Sequence, residues 1–216
     1  MKHTHTHYIY ASFAFLLFVA LGYMVKFYPE ALTGFDSNIQ TWVRGDLPGG
    51  LTAFFKMITT LGNTSVQAVI AILAVIWLYL RQYKAEAIFV GTSGVLASIM
   101  IMSLKYIYQR PRPSITHLVH AGGYSFPSGH SLGTFMILGA IAIVLTQRLV
   151  KKAAKTAVYG ITGLLIFLVG LSRIYVGVHY PTDVLAGFTL AFGLLNAIYP
   201  TYDRIRFEWR FQSKQK

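Results

Sequence analysis

Apolar runs free of charge recur along the chain: Tyr8 to Val25, Met57 to Leu80, Ala87 to Leu104, Ser131 to Thr146, Thr156 to Leu171 and Val184 to Tyr202. A hydrocarbon layer takes roughly 20 helical residues to cross, and each run reaches or approaches that length. The pattern predicts an all-α polytopic membrane protein, a bundle of six transmembrane helices. Ser131 to Thr146 and Thr156 to Leu171 are short, so their helices are expected to extend into the flanks or to sit where polar residues line a cavity. Inside the second run, Leu61-Gly62-Asn63-Thr64 is a turn signal, which predicts a short interfacial helix ahead of a span starting near Thr64. The stretch Lys26 to Gly50 carries Pro29, Pro48, Gly49 and Gly50 among Phe35, Trp42 and Leu47. It is expected outside the bundle core, as an interfacial or re-entrant segment.

Composition agrees with burial in lipid. Hydrophobic residues make up 55% and charged residues 12% of the 216 positions, against about 25% charged in a soluble domain. A single membrane-embedded domain over 1–216 is expected. The net charge of +12 does not indicate nucleic acid, because the basic residues sit in short clusters between apolar runs. Alternating the spans gathers Lys2, Arg81, Lys84, Arg148, Lys151, Lys152, Lys155 and a basic tail of about 203–216 on one side. The positive-inside rule makes that side cytoplasmic, with both termini on it. The first run is expected to be an uncleaved span, since no small-x-small cleavage site follows it. The absence of cysteine excludes disulfides and thiolate metal sites. The His3 to His7 stretch is spaced too loosely for a metal site, and no obligatory protein partner is inferred.

Polar residues gather at one end of the third to sixth spans. Lys105, Arg110 and Arg112 precede a turn made by Pro111 and Pro113; they read either as interfacial cations snorkelling to headgroups or as a phosphate clamp. Pro127-Ser128-Gly129-His130 opens the fourth span, either as a plain helix cap or as a helix N-terminus offered to an anion. Arg173 ends the fifth span, and His179 lies four residues before Asp183 across Pro181. That spacing lets a carboxylate orient an imidazole, or merely cap a helix. His117, His120 and Tyr124, like Arg110, read as headgroup contacts or, as expected here, ordinary exposed loop residues. Gly91, Gly94, Gly160, Gly163, Gly187 and Gly193 are expected at close helix contacts.

Taken together, Lys105-x6-Arg112-Pro113, Pro127-Ser128-Gly129-His130 and Ser172-Arg173-x5-His179-x3-Asp183 resemble the three-part signature of the type-2 phosphatidic acid phosphatase family, complete and in order. The resemblance spans 105–183 directly. It implies that His179 is a nucleophile oriented by Asp183, that His130 is the general acid, and that Lys105, Arg112, Ser128, Gly129 and Arg173 bind phosphate. It further implies a bacterial cytoplasmic-membrane enzyme with its site on the outer face, acting on undecaprenyl pyrophosphate, phosphatidylglycerophosphate or phosphatidic acid. Three cations beside a phosphate, and few carboxylates on that side, favour chemistry with no metal and no cofactor. The rival readings are a lipid phosphotransferase using the same histidine, and a non-enzymatic lipid-phosphate binding or transport protein.

Overall fold

The turn signal at Leu61 breaks what would otherwise be one long helix. In the computed structural model, which describes residues 4–215, α3 (Gly49–Thr60) and α4 (Thr64–Leu80) meet there at 49°. Alone, the 17 residues of α4 rise only about 25 Å, short of a hydrocarbon layer of about 30 Å. Together the pair is long enough for one broken span, the sixth candidate, and the helix before Thr64 begins at Gly49, about two turns ahead of the apolar run from Met57. Lys2, His3 and Lys216, which enter the charge distribution and the histidine stretch, lie outside the described residues.

The other five candidate spans are α1 (Thr4–Phe27), α5 (Lys84–Tyr108), α6 (Gly129–Thr146), α7 (Lys152–Tyr175) and α8 (Pro181–Phe211). Each extends past its apolar run, because helical hydrogen bonding continues until a terminating residue is met. Ser128 caps α6 and Pro181 opens α8 at a position where its missing N–H costs nothing. The 31 residues of α8 rise about 46 Å, so its last turns project beyond the apolar layer. Most of the basic stretch from 203 is therefore helix. It is tied back by Arg210, which donates to Glu86 Oε1 at 3.1 Å, beside Arg148 at 2.9 Å.

The main core cluster joins Leu132, Met136 and Ala140 of α6 and Ala186, Leu190 and Ala191 of α8 to Phe18 of α1 and to Phe89, Val90 and Ala97 of α5. Gly187 allows the approach of α8 to α6: a Cβ there would stand 2.9 Å from the Ser128 carbonyl oxygen. Gly193 similarly admits Phe15 of α1, whereas Gly160 and Gly163 have nothing within 4 Å and are not packing points. The peripheral helices instead expose Phe13, Leu16, Leu73, Ile99, Leu164 and Phe167, an apolar exterior that suits lipid.

The stretch Lys26 to Gly50 is less detached than expected. α1 runs on to Phe27, and α2 (Pro29–Arg44) follows as an amphipathic helix. Trp42 and Phe35 are exposed, but Asp36 and Gln40 are buried against the start of α8 and the link before it.

Candidate active site

Five residues, Val176 to Tyr180, connect α7 to α8, and the turn they make depends on Gly177, whose φ of +82° an L side chain rarely adopts. This turn delivers His179 into the bundle at 2% exposure. Its Nδ1 stands 3.3 Å from Asp183 Oδ2. The same oxygen accepts the Tyr180 N–H at 2.9 Å, so Asp183 caps its own helix while facing the imidazole. On the other edge of the ring, Nε2 lies 3.3 Å from Arg112 Nη1. A guanidinium can only donate, so the neutral ring with Nδ1–H directed to Asp183 leaves its lone pair on Nε2. Burial first, and then the charges of Arg173, Arg112 and Lys105, hold the His179 pKa well below the ordinary imidazole value.

The cations come from three elements. Lys105, in the last turn of α5, donates to the Tyr124 carbonyl. Arg112 is fixed in the loop by the carbonyls of Gly122 at 2.8 Å, Gly123 at 3.0 Å and Val178 at 2.7 Å. Arg173, in the last turn of α7, donates through Nη1 to Thr59 Oγ1 at 2.6 Å, while its buried Nε has no protein partner. A buried donor without an acceptor is costly unless a ligand or water satisfies it. Burial lowers the Arg112 pKa, with Asp183 opposing, yet a guanidinium remains charged at neutral pH.

At the N-terminus of α6, His130 presents Nε2 to Asn63 Oδ1 at 3.1 Å. Ser128 lies differently from the expectation of a phosphate ligand. Its fully buried hydroxyl accepts from the Ser131 N–H at 3.4 Å and the Ser131 hydroxyl at 2.9 Å, and serves as the helix cap. Gly129 and His130, in contrast, line a cavity of about 830 Å³ together with Lys105, Arg112, Arg173 and His179. Away from these polar groups the cavity is a groove between α4 and α5, walled by Ile72, Ile76, Val95, Ile99 and Met102. Its walls run from Lys105 back to Gly91, a rise of about 21 Å along α5.

Several residues at the site were not legible as such. Arg110, expected to be exposed, is 8% exposed and bridges Asp183 Oδ1 at 2.6 Å and Asp36 Oδ2 at 2.8 Å, with its guanidinium 3.9 Å from the Tyr180 ring centre. Thr59 and Asn63 reach the site from the α3–α4 break. Gln67 joins them, donating to Thr134 Oγ1 at 2.8 Å and the His130 carbonyl at 3.4 Å. The only local hint was the break itself, a turn inside an apolar run.

An all-helical, multi-pass membrane protein thus joins a buried histidine–carboxylate pair to a cationic cluster at the head of an apolar groove. The chain belongs to the PAP2 superfamily, whose pattern it matches over residues 86–207. It is 43% identical over 106 residues to phosphatidylglycerophosphatase B of Bacillus subtilis (strain 168), covering 49% of this chain and 49% of that protein. It is 32% identical over 133 residues to undecaprenyl-diphosphatase BcrC of the same organism, covering 59% and 64%. The chain therefore spans about half of the first of these relatives and just under two thirds of the second. The crystal structure of a transmembrane PAP2 type phosphatidylglycerolphosphate phosphatase from Bacillus subtilis superposes with a TM-score of 0.83 at 28% identity, over 90% of this chain and 96% of that one.

Proposed function

We propose that the protein is a hydrolase of lipid phosphates or pyrophosphates, working without a metal through a phosphohistidine. The observation that carries this reading is the placement of His179, with Asp183 on Nδ1 and the cationic cluster beside Nε2, at the head of a groove that suits a lipid chain. The Nε2 lone pair attacks phosphorus and the bond to the leaving oxygen breaks. His130 gives that oxygen its proton. Lys105, Arg112 and Arg173, with the Gly129 amide at the start of α6, hold the non-bridging oxygens, and Arg173 Nε gains an acceptor. Asp183 stabilises the positive charge that develops on the phosphorylated imidazole. Water then attacks phosphorus and passes a proton to His130, and the P–N bond breaks to free phosphate and restore Nε2.

Substrates of the kind named for the relatives fit this site: undecaprenyl pyrophosphate, phosphatidylglycerophosphate and phosphatidic acid share a phosphate head and a long apolar tail. The bacterial relatives support a bacterial cytoplasmic membrane, and the distribution of basic residues supports both termini inside and the site on the outer face. Phosphate release from these three lipids by purified protein in detergent, with chelator present, tests reaction type, substrate and metal dependence together. Release that requires added metal overturns the mechanism. No release from any of the three overturns the function. Appearance of the phosphoryl group on an added acceptor lipid, with no phosphate released, identifies a phosphotransferase instead.

A further inference from the structure

Along α2, Asp36, Gln40 and Arg44 recur at a spacing of four residues and so form one stripe. The stripe lies against the segment that carries His179. Arg44 donates to the Tyr175 carbonyl at 3.1 Å and to the Thr116 carbonyl at 2.9 Å. Gln40 Nε2 is 3.4 Å from the His179 carbonyl oxygen. Asp36, 2% exposed, accepts the Thr182 N–H at 3.0 Å through Oδ1, and through Oδ2 the Thr182 hydroxyl and Arg110 Nη2, both at 2.8 Å.

Arg110 in turn gives Nη1 to Asp183 Oδ1 at 2.6 Å and to Thr182 Oγ1 at 2.8 Å. Two carboxylates therefore share one guanidinium, and the second of them faces the imidazole. We propose that Asp36 is a positioning residue for the nucleophile, acting through Arg110 and Asp183 on His179. This rests on the phosphohistidine reading above.

With Asp36 ionised, Arg110 is held between two anions, and Asp183 keeps Oδ2 for His179 and the Tyr180 N–H. Without that charge, Arg110 has Asp183 as its only anionic partner in the network and is drawn onto it. The oxygen that orients Nδ1 then shifts, and Nε2 loses its line on phosphorus. Misplacement of a reacting group by about 1 Å can cost on the order of 100-fold in rate. Asp36 touches none of Lys105, Arg112 and Arg173 in the hydrogen bonds it makes, so substrate binding should not change with it.

The test uses the full chain in detergent, with whichever of phosphatidic acid, phosphatidylglycerophosphate and undecaprenyl pyrophosphate the wild type hydrolyses fastest. Asp36→Asn is nearly isosteric and retains an oxygen for the Thr182 N–H, while it removes the charge and puts an N–H₂ donor where Oδ2 accepts from Arg110 and the Thr182 hydroxyl. The expected result is a kcat about 10- to 100-fold lower at unchanged KM. In an Asp183→Asn background, Asp36→Asn should lower kcat no further, because its route to His179 is already cut. A brace that merely stabilises the fold would lower the yield of folded protein and leave kcat per folded molecule unchanged.

Wild-type kcat in folded Asp36→Asn overturns the inference and leaves the function intact, as does an equal further loss in the Asp183→Asn background. No hydrolysis by wild type overturns the functional reading and the inference with it. Where Asp36→Asn does not fold, Arg110→Lys is read in the same way, since an ammonium keeps the charge but cannot span both carboxylates. Wild-type kcat in that variant also overturns the inference.

Discussion

The Nε2 of His130 and the Oδ1 of Asn63 are 3.1 Å apart, which joins the proposed general acid to the break between α3 and α4. The break also touches the ring through Gly62, where a Cβ would lie 2.5 Å from His130 Cδ2. One edge of the imidazole is thus set by backbone and amide, and its other nitrogen is left to exchange protons.

His130→Ala should remove most of the benefit of general acid catalysis, about 10²–10⁴-fold. A monoester expels an alkoxide that needs the proton more than the phosphate expelled from a pyrophosphate does. Single-turnover rates should therefore fall further for phosphatidic acid than for undecaprenyl pyrophosphate. Asn63→Leu and Gly62→Ala should show the same preference with a smaller loss, about 10-fold; equal losses on both lipids would assign the ring another role.

His179→Ala should abolish acid-labile phosphoprotein and nearly all turnover, Asp183→Asn should lower turnover severely while leaving a measurable rate, and the two should differ in stability. His179→Ala removes a side chain whose partners are otherwise satisfied. Asp183→Asn takes an anion from buried Arg110 and weakens the cap on α8, so it should cost about 3 kcal/mol, the scale of a broken buried pair. Thermal unfolding in detergent separates them. Equal Tm values would show that the Arg110 pair contributes little to the fold.

If His179 is the nucleophile proposed above, its depressed pKa should set the acid side of the pH profile. In the proposed mechanism the competent form is the neutral ring, so a lowered pKa should keep turnover intact below about pH 6.5, with activity falling only as pH drops through the lowered value. Because Lys105 is one of the charges holding it down, Lys105→Met should move the acid limb of kcat/KM upward. The ionisation of the substrate is common to both profiles, and kcat/KM reports groups of the free enzyme. An acid limb at the same pH in both proteins would remove His179 as its source.

Ser98 lines the groove between α4 and α5, beyond the polar head. Ser98→Trp should raise KM for a lipid with long chains several-fold and leave that for a dibutanoyl analogue unchanged, because only the long tail reaches the indole. An equal change for both would place the tail elsewhere.

In intact cells, single cysteines introduced within 114–126 should react with an impermeant thiol reagent, and those at Lys151 or Lys152 should not. No native cysteine interferes. The reverse labelling pattern would invert the proposed orientation.

The spans were readable from sequence because lipid demands a near-uniform apolar stretch of fixed length whose backbone bonds to itself. That is a local property, visible in any window of about 20 residues. Lys105, Arg112, His130, Arg173, His179 and Asp183 were readable because their spacings within short segments are characteristic, and the structure brings Lys105, Arg112, His130, Arg173 and His179 to one cavity, with Asp183 behind His179.

Arg110 was misread, since an arginine between a polar residue and a proline has the local signature of solvent. Its actual partners lie 73 and 74 positions away in opposite directions along the chain, and no local pattern announces them. Asp36 meets Thr182 across 146 positions, and Asn63 meets His130 across 67. Ser128 illustrates the converse: a cap and an anion ligand share one sequence pattern, and only the direction of the hydroxyl distinguishes them. The sequence by itself determined which residues are apolar enough for lipid and which polar residues form the candidate site. Only the tertiary structure decided which buried charges face one another, because burial makes their pairing obligatory while leaving the partner to be supplied by whichever helix packs there.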